Sequence, residues 1–243
     1  MAENERKDLT LSVIMPCLNE ENTVGLCVDE ALAFMKDRGI TGEVLVVDNG
    51  STDCSAETAL RHGAVVITEP RPGYGRAIRT GLAAGRGRLF IIGDCDKTYD
   101  FRHMDEMYGL LERGECDMVI GNRYTGGLKK GAMSFSHRWG VRLLSYCGRK
   151  RFHTDVYDFH CGLRGMSRKA AEKLQLHTDG MEFATEMIAE AAKKRLRIRQ
   201  VPVILQKCEY PRTSKLRTVR DGFRHLGSVS YTHLRAHETL SDL

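Results

Sequence analysis

The 243-residue sequence contains no run of about 18 apolar residues, so no segment of it reads as a membrane-spanning helix. It has no CxxC pair. Its eight cysteines are scattered singly, which speaks against a zinc ribbon or a dithiol redox motif. Cys17, Cys27, Cys54 and Cys95 read as small core residues of a reducing compartment. Cys161 next to His160 lacks a second ligand pair and reads as packing, not as a metal site. Proline is scarce and no low-complexity linker interrupts the chain, which points to one domain with a C-terminal elaboration. The polar opening MAENERKDLT lacks the apolar core of a secretion signal, so a cytoplasmic location is expected.

Acidic residues are missing from two long stretches, or nearly so. Between Asp117 and Asp155 there are eight Lys/Arg and no carboxylate. Between Lys193 and Arg224 there are eleven Lys/Arg against Glu209 and Asp221. The two stretches carry +8 and +9, which leaves the rest of a chain of net charge +5 at −12. Basic blocks on an otherwise acidic chain indicate an anionic partner: a phosphorylated ligand, an anionic membrane or nucleic acid. Nucleic acid is disfavoured, because aromatics do not interleave with the cations and no RNA- or DNA-binding motif is present.

Apolar runs alternate with helical patterns through the first half. LSVIMP, GEVLVVD, AVVIT, RLFIIGD and DMVIGN read as strands; EENTVGLCVDEALAFMKDRG, CSAETALRHG, GYGRAIRTGLAAG and FRHMDEMYGLLERG read as the helices between them. Strands without polar alternation, joined by helices, specify an α/β fold whose mainly parallel sheet is covered on both faces. The second half is less regular. SHRWGVRLLSYCGRKRF is a basic amphipathic segment, RKAAEKL and GMEFATEMIAEAAKKR are helical, and LRIRQVPVIL is a strand.

Open α/β sheets bind ligands beyond the carboxyl ends of their strands. Three of those ends are polar here: PCLNEE, DNGSTD and GDCDKTYD. In the last, four apolar residues (Leu89 to Ile92) and a glycine lead into Asp94 and Asp96, with Asp100 close behind. Two carboxylates one residue apart at the end of a buried strand repel each other, a conflict that a divalent cation resolves. Asp48 serves equally well as a turn cap or as an acceptor for a ribose or base donor. Gly73-x-Gly75 is only a fragment of a dinucleotide fingerprint and does not support an oxidoreductase.

Taken together, SVIMPCLNEENTVG, VLVVDNGSTD, RPGYGRAIRTGL and GDCDKTYDF resemble the nucleotide-sugar half of a family-2 glycosyltransferase. GNRYTGG, DFHCGLRGMSR, GMEFATEM and RTSKLRTVRDGFRHL are similar to the branch that makes polyprenyl-phosphate sugars, the dolichyl-phosphate mannose or glucose synthase type. The resemblance implies a GT-A fold over residues 1–226, with a nucleotide-sugar half at about 10–122 and an acceptor half at about 123–226. It implies inverting hexose transfer from UDP-glucose or GDP-mannose to a polyprenyl phosphate, with Mg²⁺ or Mn²⁺. Pro16, Leu18 and Glu20 then fall on the nucleotide loop, Asp48 on the base or ribose, and Asp94 and Asp96 on the metal and diphosphate. Arg123 matches a phosphate-binding arginine, and Arg212 and Lys215 match a basic loop over the diphosphate. Arg138 joins Arg123 as a candidate for the acceptor phosphate.

Asp158 is assigned to orienting the acceptor or a neighbouring arginine such as Arg164. In the alternative, a soluble family-2 enzyme acting on a saccharide hydroxyl, Asp158 is the base. Trp139, Val141, Leu143 and Leu144 beside Arg138, Arg142 and Arg149 suggest an interfacial helix, hence peripheral attachment to an anionic membrane at its cytoplasmic face. Residues 227–243 depart from the family pattern. They are expected to be disordered or artefactual, with transmembrane helices belonging to a longer native form.

Overall fold

The computed structural model describes residues 9–133 and 135–208. Seven strands form one sheet: β1 (Leu11–Cys17), β2 (Gly42–Asp48), β3 (Val65–Thr68), β4 (Leu89–Ile92), β5 (Met118–Asn122), β6 (Arg164–Ser167) and β7 (Ile198–Pro202). Their spatial order is β3-β2-β1-β4-β6-β5-β7, and every pairing is parallel except those of β6 with β4 and β5. All of β4 and β5, and nearly all of β1 and β2, are buried, as the unbroken apolar runs require of strands covered on both faces.

Helices α1 (Val24–Asp37) and α2 (Ser55–Arg61) make the crossovers from β1 to β2 and from β2 to β3, and α3 (Tyr74–Ala84) returns the chain to β4. That return reverses the direction of travel across the sheet, so right-handed crossovers put α3 on the face opposite α1 and α2. Gly81 lets α3 lie close on β1, since a Cβ there would meet Ile14 Cγ2 at 2.4 Å. α4 (Asp105–Glu112) joins β4 to β5, and the one-turn α5 (Arg123–Gly126) follows β5 directly. The Asn122 side chain caps α5, accepting from the Tyr124 and Thr125 backbone N–H groups at 3.0 and 3.3 Å.

The second half contains α6 (Phe135–Phe152), α7 (Arg168–Lys173) and α8 (Phe183–Lys193). β6 was not anticipated: four residues, RGMS, carry too little apolar pattern to announce a strand. Its antiparallel insertion fixes the site. Arg164 pairs with both Ile92 and Ile120, so β6 starts at the carboxyl ends of β4 and β5 and brings residues 158–163 to that edge. α7 follows β6 and therefore lies at the opposite edge. Two boundaries differ from the sequence reading. The first helix begins at Val24, because Glu20 to Thr23 form a turn in which Thr23 N–H donates to the Glu20 carbonyl at 3.0 Å. The last strand is confined to Ile198–Pro202 at the sheet edge, where a proline is tolerated.

Candidate active site

The chain reverses its direction across the sheet between β1 and β4, and the crevice beyond their carboxyl ends is the topological switch point. The two strand ends are tied there: Cys95 Sγ donates to the Pro16 carbonyl at 3.3 Å. The loops after β1 and β2 are joined side by side. Asn19 N–H donates to Ser51 Oγ at 2.9 Å, Thr52 N–H to Asn19 Oδ1 at 2.8 Å, and Glu20 N–H to Ser55 Oγ at 2.7 Å. Pro16, Leu18 and Glu20, half-buried, thus stand on a fixed rim next to Asp48.

Asp48 is buried, and its Oδ1 accepts from Ser51 N–H at 3.2 Å, so it does cap the turn. Asn49, to which the sequence reading assigned no role, holds the neighbouring loop. Its amide donates to the carbonyls of Glu69 (2.9 Å) and Arg71 (2.8 Å), and its Oδ1 accepts from Gly73 N–H at 2.7 Å. The glycine turn that opens α3 is thereby anchored to the end of β2.

Asp94 and Asp96 follow β4 on this same edge. Asp96 is buried, and its Oδ1 accepts from Thr98 N–H at 3.0 Å and from the Thr98 hydroxyl at 2.5 Å. Tyr74, the first residue of α3, hydrogen-bonds Asp94. Burial pushes the Tyr74 hydroxyl well above its ordinary pKa and the Asp94 charge adds to that, so the phenol stays protonated and donates. Gly162 backs the same carboxylate: a Cβ there would meet Asp94 Oδ2 at 2.4 Å. Asp100 belongs to a different contact, bonding Arg102 Nε and Nη2 at 3.1 Å each.

This donor set fits a hard divalent cation. Among the described residues no group of three or more His, Cys, Asp or Glu is placed to cage a metal. Two carboxylates at a strand end instead suit a Mg²⁺ or Mn²⁺ that takes its other ligands from water and substrate phosphates.

At the end of β5, Arg123 and Asp158 form a buried pair. Asp158 Oδ2 accepts from Arg123 Nε at 2.7 Å and from its backbone N–H at 3.1 Å, and Oδ1 accepts from Nη2 at 2.7 Å. Asp158 is fully enclosed and the Arg123 side chain is 7% exposed. Burial works against the Arg123 charge, yet Tyr99 and Asp158 around it hold its pKa well above the ordinary value. The expectation that Asp158 orients Arg164 is corrected. Arg164 donates instead to the carbonyls of Cys161 (2.8 Å), Ala184 (2.7 Å) and Phe159 (2.6 Å), so its hydrogen bonds go to backbone and not to Asp158.

α6 supports this pair from behind. Val141, Ser145 and Gly148 face inward, Ser145 Oγ accepts from Phe159 N–H at 3.3 Å, and Gly148 packs on the Phe159 ring. The outward face carries Trp139, Leu143 and Tyr146, each more than half exposed, with Lys150, whereas Arg138 and Arg142 flank it on the side of Tyr124, Arg142 lying 4.6 Å from that ring centroid. Val141 is therefore not part of the exposed apolar stripe with which the sequence reading grouped it. Arg212, Lys215 and the tail 227–243 lie outside the described residues.

The description "Glycosyl transferase family 2" matches residues 12–175, which span both carboxylate loops and the Arg123–Asp158 pair. The chain belongs to glycosyltransferase family 2. This family-2 transferase is 38% identical over 220 residues to the low-salt glycan biosynthesis hexosyltransferase of Haloferax volcanii, covering 89% of the chain and 52% of that relative, about half its length. It is 30% identical over 224 residues to the dolichyl-phosphate beta-glucosyltransferase of Drosophila melanogaster, covering 80% and 66%. Among solved structures, its fold is shared by mannosyl-3-phosphoglycerate synthase from Rubrobacter xylanophilus (TM-score 0.73, 22% identity, 95% and 75% covered). It is shared too by glucosyl-3-phosphoglycerate synthase from Mycobacterium tuberculosis in complex with Mn²⁺, UDP-glucose and phosphoglyceric acid (TM-score 0.72, 24% identity, 92% and 79% covered). The family-2 transferase thus has the expected GT-A-type α/β architecture.

Proposed function

We propose that this chain transfers a hexose, with inversion, from UDP-glucose or GDP-mannose to a polyprenyl phosphate at the cytoplasmic face of a membrane. The observation that carries the acceptor class is the state of Asp158. A hydroxyl acceptor needs a base, and the candidate base is fully buried with both oxygens bonded to Arg123. A phosphate acceptor needs none, because its second pKa is about 6 and it is already ionised near neutrality. The dolichyl-phosphate relative supports the same acceptor class.

In this reading the rim of Pro16, Leu18 and Glu20 and the carboxylate of Asp48 hold the nucleoside. Asp94 and Asp96 hold Mg²⁺ or Mn²⁺, which when bound neutralises the donor diphosphate and favours its departure. Tyr74 and Gly162 keep the Asp94 carboxylate in place. An acceptor phosphate oxygen attacks the anomeric carbon, the bond from that carbon to the diphosphate oxygen breaks, and the nucleoside diphosphate leaves with the electron pair. Arg123, its charge balanced by Asp158, fixes the end of β5, and Arg138 meets the acceptor phosphate from α6. Arg212 and Lys215 complete the charge over the diphosphate. Catalysis then rests on positioning and charge, without a protein base.

The outward stripe of α6 supports membrane attachment. Its three exposed apolar side chains flanked by cations suit an anionic headgroup region. No helix among the described residues is long and apolar enough to cross a membrane. A donor panel of UDP- and GDP-hexoses, assayed with Mg²⁺ or Mn²⁺ and a short polyprenyl phosphate in detergent, tests the reading. It requires lipid-linked hexose from at least one donor, and none from any donor would defeat it.

A further inference from the structure

The last turns of α6 and the residues after it enclose a cleft of about 330 Å³, lined by Tyr146, Arg149, Lys150, His153, Thr154 and Asp155. None of these residues belongs to the rim, the carboxylate pair or the Arg123–Asp158 pair. The Arg149 guanidinium lies 3.8 Å from the Tyr157 ring centroid, and Lys150 Nζ lies 6.0 Å from that of Tyr146. Arg149 Nε is buried and has no hydrogen-bond partner among the described residues. Cations at a helix C-terminus complement its dipole, which accounts for the charge of Arg149, Lys150 and Arg151 but not for a cleft lined by two of them.

The position of the cleft identifies the ligand. Tyr146 and Lys150 continue the exposed stripe of Trp139 and Leu143 at helical spacing, so the cleft opens where that stripe ends. The one carboxylate in its lining, Asp155, is outnumbered by Arg149 and Lys150. We propose that this cleft binds the phosphate headgroup of an anionic phospholipid, a second contact with the membrane separate from the acceptor phosphate. The Arg149 guanidinium and Lys150 Nζ donate to the headgroup oxygens while Trp139 and Leu143 enter the interface. This inference rests on the membrane-acting reading of the proposed function.

The test is sedimentation of the full chain with vesicles of phosphatidylcholine, with and without phosphatidylglycerol. Each interfacial cation is worth about 1 kcal/mol, roughly fivefold in partitioning. Lys150→Gln, a surface change that leaves the fold alone, should cut binding to the phosphatidylglycerol vesicles about fivefold. Arg149→Lys keeps the charge but loses the planar guanidinium, and should cut it by about threefold or more. Lys169→Gln/Lys173→Gln, which removes two exposed charges from α7 at the opposite edge, should change it less than twofold. Equal losses in the α7 pair, or wild-type binding by Arg149→Lys, would reduce the cleft to unspecific charge and overturn the proposal. So would inorganic phosphate that displaces the chain from vesicles at the lipid's own concentration, since the site would then serve a soluble anion. Failure of the underlying reading is seen separately, as absent transfer to polyprenyl phosphate in detergent, where no vesicle is present.

Discussion

Arg123 and Asp158, thirty-five residues apart in sequence, meet as a buried bidentate ion pair with both side-chain contacts at 2.7 Å. Removing one partner of such a pair leaves the other charge uncompensated, at about 3–5 kcal/mol. Asp158→Ala should therefore lose about that much stability in denaturant unfolding. Asp158→Asn keeps an acceptor and should lose less. In its kinetics, the Asn variant should raise the KM for polyprenyl phosphate while kcat stays within about tenfold of wild type. A loss of 10²–10⁴ in kcat with intact acceptor binding and a new pH dependence would identify a base.

The carboxylates after β4 predict a different signature. Asp96→Ala should abolish transfer and reduce metal-dependent nucleotide binding by about 10²-fold or more, the scale of losing one aligned electrostatic contact. The fold should remain, because the residue sits past the strand end. Calorimetry of UDP or GDP binding with and without Mn²⁺, alongside thermal unfolding, measures both. Metal-dependent binding equal to wild type would remove Asp96 from the site.

Membrane attachment is expected to depend on both the stripe and the charges of α6. Trp139→Ala should weaken sedimentation with anionic vesicles about tenfold, the equivalent of 1.4 kcal/mol from buried apolar area. Raising salt should weaken wild-type binding as well, since exposed charges are screened beyond about 8 Å at physiological ionic strength. Salt-independent binding would show that the cations take no part.

Glu43 provides a pH-dependent test of the fold at the other edge of the sheet. It is buried and accepts from Ser12 Oγ (2.8 Å) and from Arg86 N–H, Nε and Nη2 (2.7, 2.8 and 2.6 Å). Burial alone would raise its pKa, but the bonds from Arg86 and Ser12 prevail and lower it. A depressed folded pKa contributes stability that is complete above the unfolded value of about 4.3 and is lost as pH falls through the folded value. Glu43→Gln should cost about 1–3 kcal/mol at pH 7. The gap to wild type should then close below about pH 4, as followed by urea unfolding across pH. A gap that persists in acid would mean that packing, not charge, explains the loss.

The parts of this fold that were legible in the sequence were those written in local pattern. β1, β2, β4 and β5 are apolar runs closed by polar strand ends, and Asp94 and Asp96 stand out there as two mutually repelling carboxylates on one strand end. β6 was illegible because its pairing with β4 and β5 supplies the stability that RGMS lacks. The support of Asp94 by Tyr74 and Gly162 spans three separate segments, so no spacing could disclose it. The partner of Asp158 was misread because Arg164 is nearer in sequence, whereas the start of α5 carries Arg123 to it. On α6 composition identified an amphipathic helix, but Val141 and Leu143 part company only once Phe159 defines the inner face.

The central claim is that the acceptor is an ionised phosphate on a lipid. Its most direct test presents the full chain, with one active donor and Mn²⁺, with three acceptors side by side: a short polyprenyl phosphate, the matching unphosphorylated polyprenol and 3-phosphoglycerate. The account predicts hexose transfer to the polyprenyl phosphate and to neither of the others, with a rate that rises with pH around the acceptor's second pKa of about 6. Transfer to the polyprenol or to 3-phosphoglycerate, with none to the polyprenyl phosphate, would contradict it.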